Sequence, residues 1–410
     1  MAIVATDSAH YADIAGAIRE KNGQTALYKP AEMAAAIRAI QGGGGTAAAP
    51  VSPKDVNFYD YDGTRVAAYT LAEAQALTDL PEGPAHDGLV FQGWNRTLAD
   101  IRSLTRPMNV GASYITGDGK TRLYIHIPDT VRSTVPLYFS QTAANGVTID
   151  WGDGSPAETL PGTGNVNTTH LYAAEGDYVI SLEAAEGCIL GLGAGASSYC
   201  VMGKTETNGR VYNYMLRAVR IGAGVTGISN YAFQHCGMLE HITIPEGVTS
   251  LGNYAFYNCR LLASITIPKG VTSIGSYAFQ SCYAMESITI PNGISAINMY
   301  TLQNCYGLTG VTIPEGVTSL GKYAISVNYS QTSITIPESV SRIADYGFAQ
   351  CYGMAEYHIK RAAPPTLEGS SVFSSMPADC VIYVPQGSLE AYQAATNWSA
   401  LTSKMQEEPA

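Results

Sequence analysis

Eight cysteines and seven histidines are the residues of this 410-residue chain best suited to nucleophilic or metal chemistry. His235 stands beside Cys236, which invites a thiolate–imidazole pair. Adjacent side chains need not converge, however, and no histidine stands at the same place beside the other repeating cysteines. No CxxC pair occurs, so the usual spacing of a zinc site is missing. "GLGAGA" lacks the GxGxxG spacing and the following helix of a dinucleotide loop, and no GxSxG, HExxH or GxxxxGKS/T pattern is present. Asp150 and Asp153 in "DWGDGS" could meet a calcium ion, but an EF-hand needs further oxygens, and a β-turn accounts for the glycines. With no acid pair or metal set standing out, the chain is expected to be no enzyme, with no catalytic residue, metal site or cofactor.

What the cysteines do share is a ruler. Cys236, Cys259, Cys282 and Cys305 are 23 residues apart, Asn328 takes the next position and Cys351 the one after. Pro245, Pro268, Pro291, Pro314 and Pro337 keep the same period, as do Thr243, Thr266, Thr289, Thr312 and Thr335 and the tyrosines from Tyr231 to Tyr346. A period in the twenties is too short for a helix pair or a propeller blade and fits a leucine-rich-repeat-type solenoid. In "ITIP", Ile242 and Ile244 point inward and the threonine between them outward. Stacked rungs then make a parallel sheet with a threonine ladder on its outer face, at a pitch of about 4.8 Å. Val248 and Leu251 add a second inward layer, Phe233 and Leu239 a third. The column Cys236, Cys259, Cys282, Cys305, Asn328, Cys351 becomes a buried structural ladder, with Asn213 at the same place one rung earlier. In-register side chains point in parallel, which disfavours disulfides between rungs.

The letters that change between copies are the candidates for recognition. Gln234, Tyr257, Gln280 and Gln303 share one column, and His235 lies next to it. Arg260, Tyr283, Tyr306, Tyr329 and Tyr352 follow the cysteine position. The chain holds 27 Tyr against 8 Phe and 3 Trp, and tyrosine suits contact surfaces as well as strands. These ten residues are the expected ligand-binding set. A net charge of -11 without a Lys/Arg stripe argues against nucleic acid as a partner. No secretory signal or apolar run of membrane-spanning length occurs, so no membrane insertion is expected; export would be by lysis, a dedicated machine or assembly into a particle.

The chain divides by composition. Residues 1–41 predict two helices, the first capped by Ser8 and the second, "PAEMAAAIRAIQ", with a stripe of Met33, Ala36, Ile37 and Ile40; this pair is expected to dock or self-associate. "GGGGTAAAPVSP" makes 42–54 a flexible linker. Residues 55–104 predict a small module with a hairpin at Asp62-Gly63, and 105–190 a β-sandwich with strands "RLYIHIP", "PLYFSQT", "GVTIDWGDG" and "GDYVISLEA". A joint is expected at 191–210, repeats over 211–361, and a cap over 362–410. Val219, Ile221, Val225 and Ile228 keep register in a degenerate first rung, where Gly222 replaces proline. The fold class is therefore mainly β and multidomain.

"SITIPKGVTSIGSYAFQSCYAMESITIP" resembles the BspA-type leucine-rich repeat of surface and secreted proteins of gut bacteria and their phages, in which one buried site takes Asn or Cys. "IYVPQGSLEAYQAATNWS" resembles the usual ending of such proteins. Trp151, Gly152, Asp153, Gly154, His170, Tyr172, Gly176 and Tyr178 resemble a PKD domain, an immunoglobulin-like sandwich. "VNFYDYDGTRVAAYT…GLVFQGWN" is similar to a small β-grasp-type repeat. "YADIAGAIREKNGQTALYKPAEMAAAIRAI" resembles the N-terminus of tail proteins from phages of gut Firmicutes. Together these resemblances imply a phage tail fibre or receptor-binding protein of the virion. Its N-terminus would bind other tail or baseplate proteins and trimerise, and its solenoid would bind a host bacterial surface glycan or protein. The alternatives are a secreted or cell-surface BspA-like adhesin, which would be extracellular, and a purely structural fibre subunit.

Overall fold

The computed structural model describes residues 56–62, 64–104, 108–129, 133–193, 199–204 and 213–409, all within the compact unit Lys54–Ala410. The helical pair expected over 1–41 and the linker 42–54 lie outside the described residues. Strands β1 (Val56–Tyr59), β2 (Arg65–Tyr69), β3 (Leu89–Trp94) and β4 (Met108–Thr116) form one sheet in the order β2-β1-β4-β3. Two short helices, α1 (Leu71–Gln75) and α2 (Leu98–Arg102), each begin with a capping box, Thr70 with Glu73 and Thr97 with Asp100, which satisfies the first free amides. Val56, Phe58, Trp94, Ile101, Val110 and Tyr114 close a core of its own. The boundary expected at 104/105 falls inside this sheet. β4 pairs with both β1 and β3, so the module cannot be closed without it.

A sandwich follows. It comprises β5 (Thr121–Ile127), β6 (Thr134–Gln141), β7 (Val147–Asp150), β8 (Glu158–Thr159), β9 (Gly164–Leu171), β10 (Gly176–Ala184) and β11 (Leu190–Leu192). A hairpin of β12 (Tyr199–Cys200) and β13 (Gly203–Lys204) leads on to β14 (Leu216–Arg220) and β15 (His241–Thr243). β5 alternates buried and half-buried residues along its length, the period-2 pattern of a strand with one face in a core. The two sheets run β15-β14-β5-β10-β7-β8 and β11-β6-β9. β14 and β15 already belong to the repeats, so the first sandwich sheet passes into the solenoid without a break. On the other sheet Leu192, Ile228 and Leu251 bridge in parallel. One apolar core runs from Leu123 to Met405.

The described part of the expected joint is therefore tied into the fold, and the sandwich caps the first rung, whose apolar end would otherwise face water. Gly222 shows why proline is missing there. Its N–H donates to Thr121 Oγ1 at 3.0 Å, and a Cβ would collide with the backbone at Gly119.

Each rung adds a strand to two parallel sheets. β16 (Ser250–Leu251) pairs with β18 (Ser273–Ile274), and β17 (Ser264–Thr266) with β19 (Ser287–Thr289), each residue facing its copy one rung on. The third side consists of the Tyr-Ala-Phe turns. At the far end Trp398 and Tyr392 are fully buried and donate to Pro365 O and Arg361 O at 2.7 and 2.6 Å, which closes the stack.

The threonines of the first sheet point outward as expected, but the face is not open. Thr243, Thr266 and Thr289 are only 2, 7 and 5% exposed, because β4 lies across β15, β17 and β19. Gly111 makes the approach feasible, since a Cβ there would run into Thr266 and Thr289. The sequence pattern of a solvent-facing ladder carries no mark of a neighbour from a distant segment.

Candidate functional site

The cysteine ladder is a hydrogen-bonding device. All eight cysteines are free and buried. The thiols of Cys259, Cys282, Cys305 and Cys351 donate to the carbonyls of Phe233, Phe256, Phe279 and Ile325, each 26 residues back, at 3.1–3.3 Å. Asn328 does the same work with its amide, donating to Leu302 O at 3.0 Å and accepting from Cys305 N at 2.9 Å. Burial pushes the Cys305 thiol up to about 12 and Cys351 to about 11, and Cys236, Cys259 and Cys282 well above their ordinary value. These groups stay protonated and cannot act as nucleophiles at neutral pH. Among the described residues no three His, Cys, Asp or Glu converge on a metal site. In "DWGDGS" Asp150 and Asp153 accept from Gly152 N and Ser155 N at 2.9 and 3.0 Å, and Asp153 also meets His170 Nε2 at 2.7 Å.

Raised thiol values carry a sign. A thiol that ionises near 9 in the unfolded chain and only near 11–12 in the folded one makes the folded chain hold its protons longer. That stabilisation is complete below about pH 9 and is lost as pH rises through the folded values. Tyr254 and Tyr283, pushed up to about 12 first by burial, act in the same direction. The expected result is a Tm that is level from about pH 6 to 8.5 and falls steeply above pH 9. A Tm unchanged between about pH 9 and 11 would contradict the ladder.

The turn side is built from backbone conformations that the sequence does not advertise. Two non-glycine residues per rung have positive φ: Tyr231, Tyr254, Tyr277, Tyr300, Tyr323 and Tyr346, and four positions on, His235, Asn258, Ser281, Asn304, Val327 and Gln350. The left-handed conformation costs an L-residue about 1–2 kcal/mol. It turns each amide along the solenoid axis, where Tyr254 N reaches Ser276 O at 3.0 Å and Asn258 N reaches Gln280 O at 2.8 Å on the next rung. The same turn stacks the six tyrosines, with centroids 4.4–5.0 Å apart and planes within 16° of parallel.

A second stack runs beside the first. Tyr283, Tyr306 and Tyr329 lie 5.0 and 4.7 Å apart, and Tyr352 tilts by 38° at its end. Arg260 covers Tyr283 at 5.7 Å and donates to Asn258 Oδ1 at 3.0 Å. Between the stacks Gln280 Nε2 donates to Gln303 Oε1, and His235 Nδ1 pairs with Asn258 Nδ2 at 2.8 Å. Tyr257 meets His235 and Tyr254 edge-on. Gln234 is half-buried, and its Oε1 is enclosed without a partner.

The ten expected binding residues thus share one face, but they do not contribute alike. Tyr306 and Tyr329 are 7 and 5% exposed, since both ring faces are covered by neighbours, and they serve as struts rather than contacts. Tyr352, 52% exposed, ends the column with much of its surface in water. Sequence reasoning missed Tyr214, 39% exposed, whose ring fills the space that a side chain at Gly237 would take, 2.7 Å from a Cβ built there. The signal was present, because Tyr214 follows Asn213 as the other tyrosines follow their cysteines.

The rung geometry defines a leucine-rich-repeat solenoid. Residues 226–355 match the BspA type leucine rich repeat region in six copies. Among solved structures, the chain is similar to a leucine-rich repeat protein from Eubacterium ventriosum. They share 29% identity over 38% of this chain and 42% of that one, with a TM-score of 0.33. A leucine-rich repeat protein from Bacteroides ovatus matches at 22% identity over 42 and 55%, with a TM-score of 0.30. A leucine rich cell surface protein from Faecalibacterium prausnitzii matches at 23% over 49 and 66%, with a TM-score of 0.27. The chain thus spans about half the length of the first two structures it matches. No curated protein gives a match.

Proposed function

We propose that the chain is a non-enzymatic adhesion protein of BspA-like type, secreted or displayed at a bacterial surface, that engages a surface glycan or protein through the turn face of its solenoid. The observation that carries this reading is the division of labour within a rung. Core columns repeat, whereas the columns between the two tyrosine stacks change from copy to copy and present amides, an imidazole and ring edges side by side. Such a surface offers rigid aromatic anchors and adaptable polar contacts at low entropic cost. The match of residues 226–355 to the BspA type leucine rich repeat region supports it. The β1–β4 module and the sandwich that follows it enter the same reading as β-grasp-like and PKD-like modules.

A second reading, a trimeric phage tail fibre in the virion, is favoured by the tail-protein resemblance of residues 1–41, which would bind tail or baseplate proteins. Labelled full-length chain and its Tyr214→Ala/Tyr352→Ala variant, titrated onto a panel of gut bacterial cells and purified wall glycans, test the site. A loss of at least about tenfold in affinity with unchanged Tm is expected; equal binding would remove the turn face from the reading. Deleting residues 1–41 separates the two readings: cell binding persists in both, and a defect in particle incorporation belongs to the tail fibre alone.

A further inference from the structure

We infer that the β1–β4 module is a removable cover on the solenoid, an internal contact that hides part of a polar face until it swings away. Two finished surfaces meet at this contact. The module has its own core, separate from the one that runs through sandwich and rungs, so neither side depends on the other to bury its apolar interior. The face beneath is polar: Ser264, Thr243, Thr266 and Thr289 are covered, while Thr312 and Thr335, in the same column, stay half-exposed beyond the module. The same outward hydroxyl is thus built to stand in water on some rungs and is roofed on others.

The roof fits imperfectly. Ser113 Oγ on β4, Thr243 Oγ1 and Thr289 Oγ1 on the sheet, and His241 Nδ1 and Glu246 Oε1 at its edge are enclosed without hydrogen-bond partners. Each would be hydrated on an open face, so each favours opening. Closure is held by hydrogen bonds between the module and the rungs, one of them from Ser264 Oγ to Tyr61 O at 3.3 Å. Asn95 Nδ2 donates to Ile267 O at 3.4 Å, Arg96 donates to Ile290 O, Gln92 Oε1 accepts from Glu246 N at 3.0 Å, and Arg220 donates to Asp87 O at 3.1 Å. On its C-terminal side the module continues into β5 through the short turn from Thr116 to Thr121, where Gly119 has φ +74°. Opposing terms of this kind give a two-state contact, and rotation about that turn would extend the uncovered hydroxyl face by three rungs.

Thiol labelling reads the opening, because the native cysteines are buried and supply a silent background. Full-length Thr266→Cys (covered) and Thr335→Cys (uncovered) chains are labelled in native buffer. The Thr266→Cys chain is expected to react more slowly than Thr335→Cys and faster than the native cysteines, at a rate insensitive to low urea, as local opening requires. Adding Gly111→Val, which wedges β4 off Thr266, should raise that rate at least about tenfold toward the Thr335→Cys value. Labelling of Thr266→Cys no faster than the native thiols, or as fast as Thr335→Cys, overturns the inference. The two single variants decide it even if the Gly111→Val chain fails to fold.

Discussion

Replacing Phe256 with alanine is expected to lower the unfolding free energy by about 3–5 kcal/mol, the range for deleting a buried aromatic ring. Phe256 is fully buried and stacks on Phe233 and Phe279, with centroids 5.3 Å away on either side and planes within 15° of parallel. In a solenoid each rung is stabilised by its neighbours, so one deletion weakens two interfaces, and no third layer can move in. Phe256→Leu is expected to cost less, about 1–1.5 kcal/mol, because the stack already accommodates Leu302 and Ile325 at this column, both fully buried. Urea titrations of the three chains check both numbers. Equal midpoints for the Ala and Leu variants would mean that the ring column is not what couples the rungs.

The second large effect is expected at Asn328. Alanine there removes the donor to Leu302 O and the acceptor of Cys305 N. Buried groups left without partners cost about 1–3 kcal/mol each, so Asn328→Ala, which orphans two, should lose roughly 2–6 kcal/mol. Asn328→Cys should stay within about 1 kcal/mol. Three other rungs show how: the N–H groups of Cys236, Cys259 and Cys282 bond the carbonyls of Phe233, Phe256 and Phe279, three residues back, at 3.1, 3.1 and 3.3 Å, and the thiols of Cys259 and Cys282 reach the previous rung. Thermal unfolding of the two variants separates these outcomes, and similar losses for Ala and Cys would show that the column fills space rather than bonding backbone.

These two residues also mark where the sequence is transparent. The interchange of Asn and Cys on a 23-residue ruler was enough to turn an apparent reactive cysteine into a buried backbone partner, because only a group that bonds backbone can be either residue. The inward columns Ile242, Val248, Phe233 and Leu239 were legible for the same reason: a periodic core must repeat its apolar letters. The turn face was legible as a variable region. Its internal roles were not, since whether a tyrosine is a strut like Tyr306 or an open ring like Tyr352 depends on what stands one rung away.

By itself, then, the sequence determined the solenoid, its period, its inward layers and its cysteine ladder, all of which follow from local periodicity and nearest-neighbour stacking. Only the tertiary structure decided how the rest is joined to it. That β4 completes the first module, that β14 pairs with β5 and so carries the sandwich sheet into the rungs, and that Gly111 rests on Thr266 and Thr289 are pairings between segments far apart in the chain. Such contacts leave no periodic trace. A threonine that faces water and one that faces a neighbouring strand are written with the same letter, and the difference is set by shape and backbone approach in three dimensions.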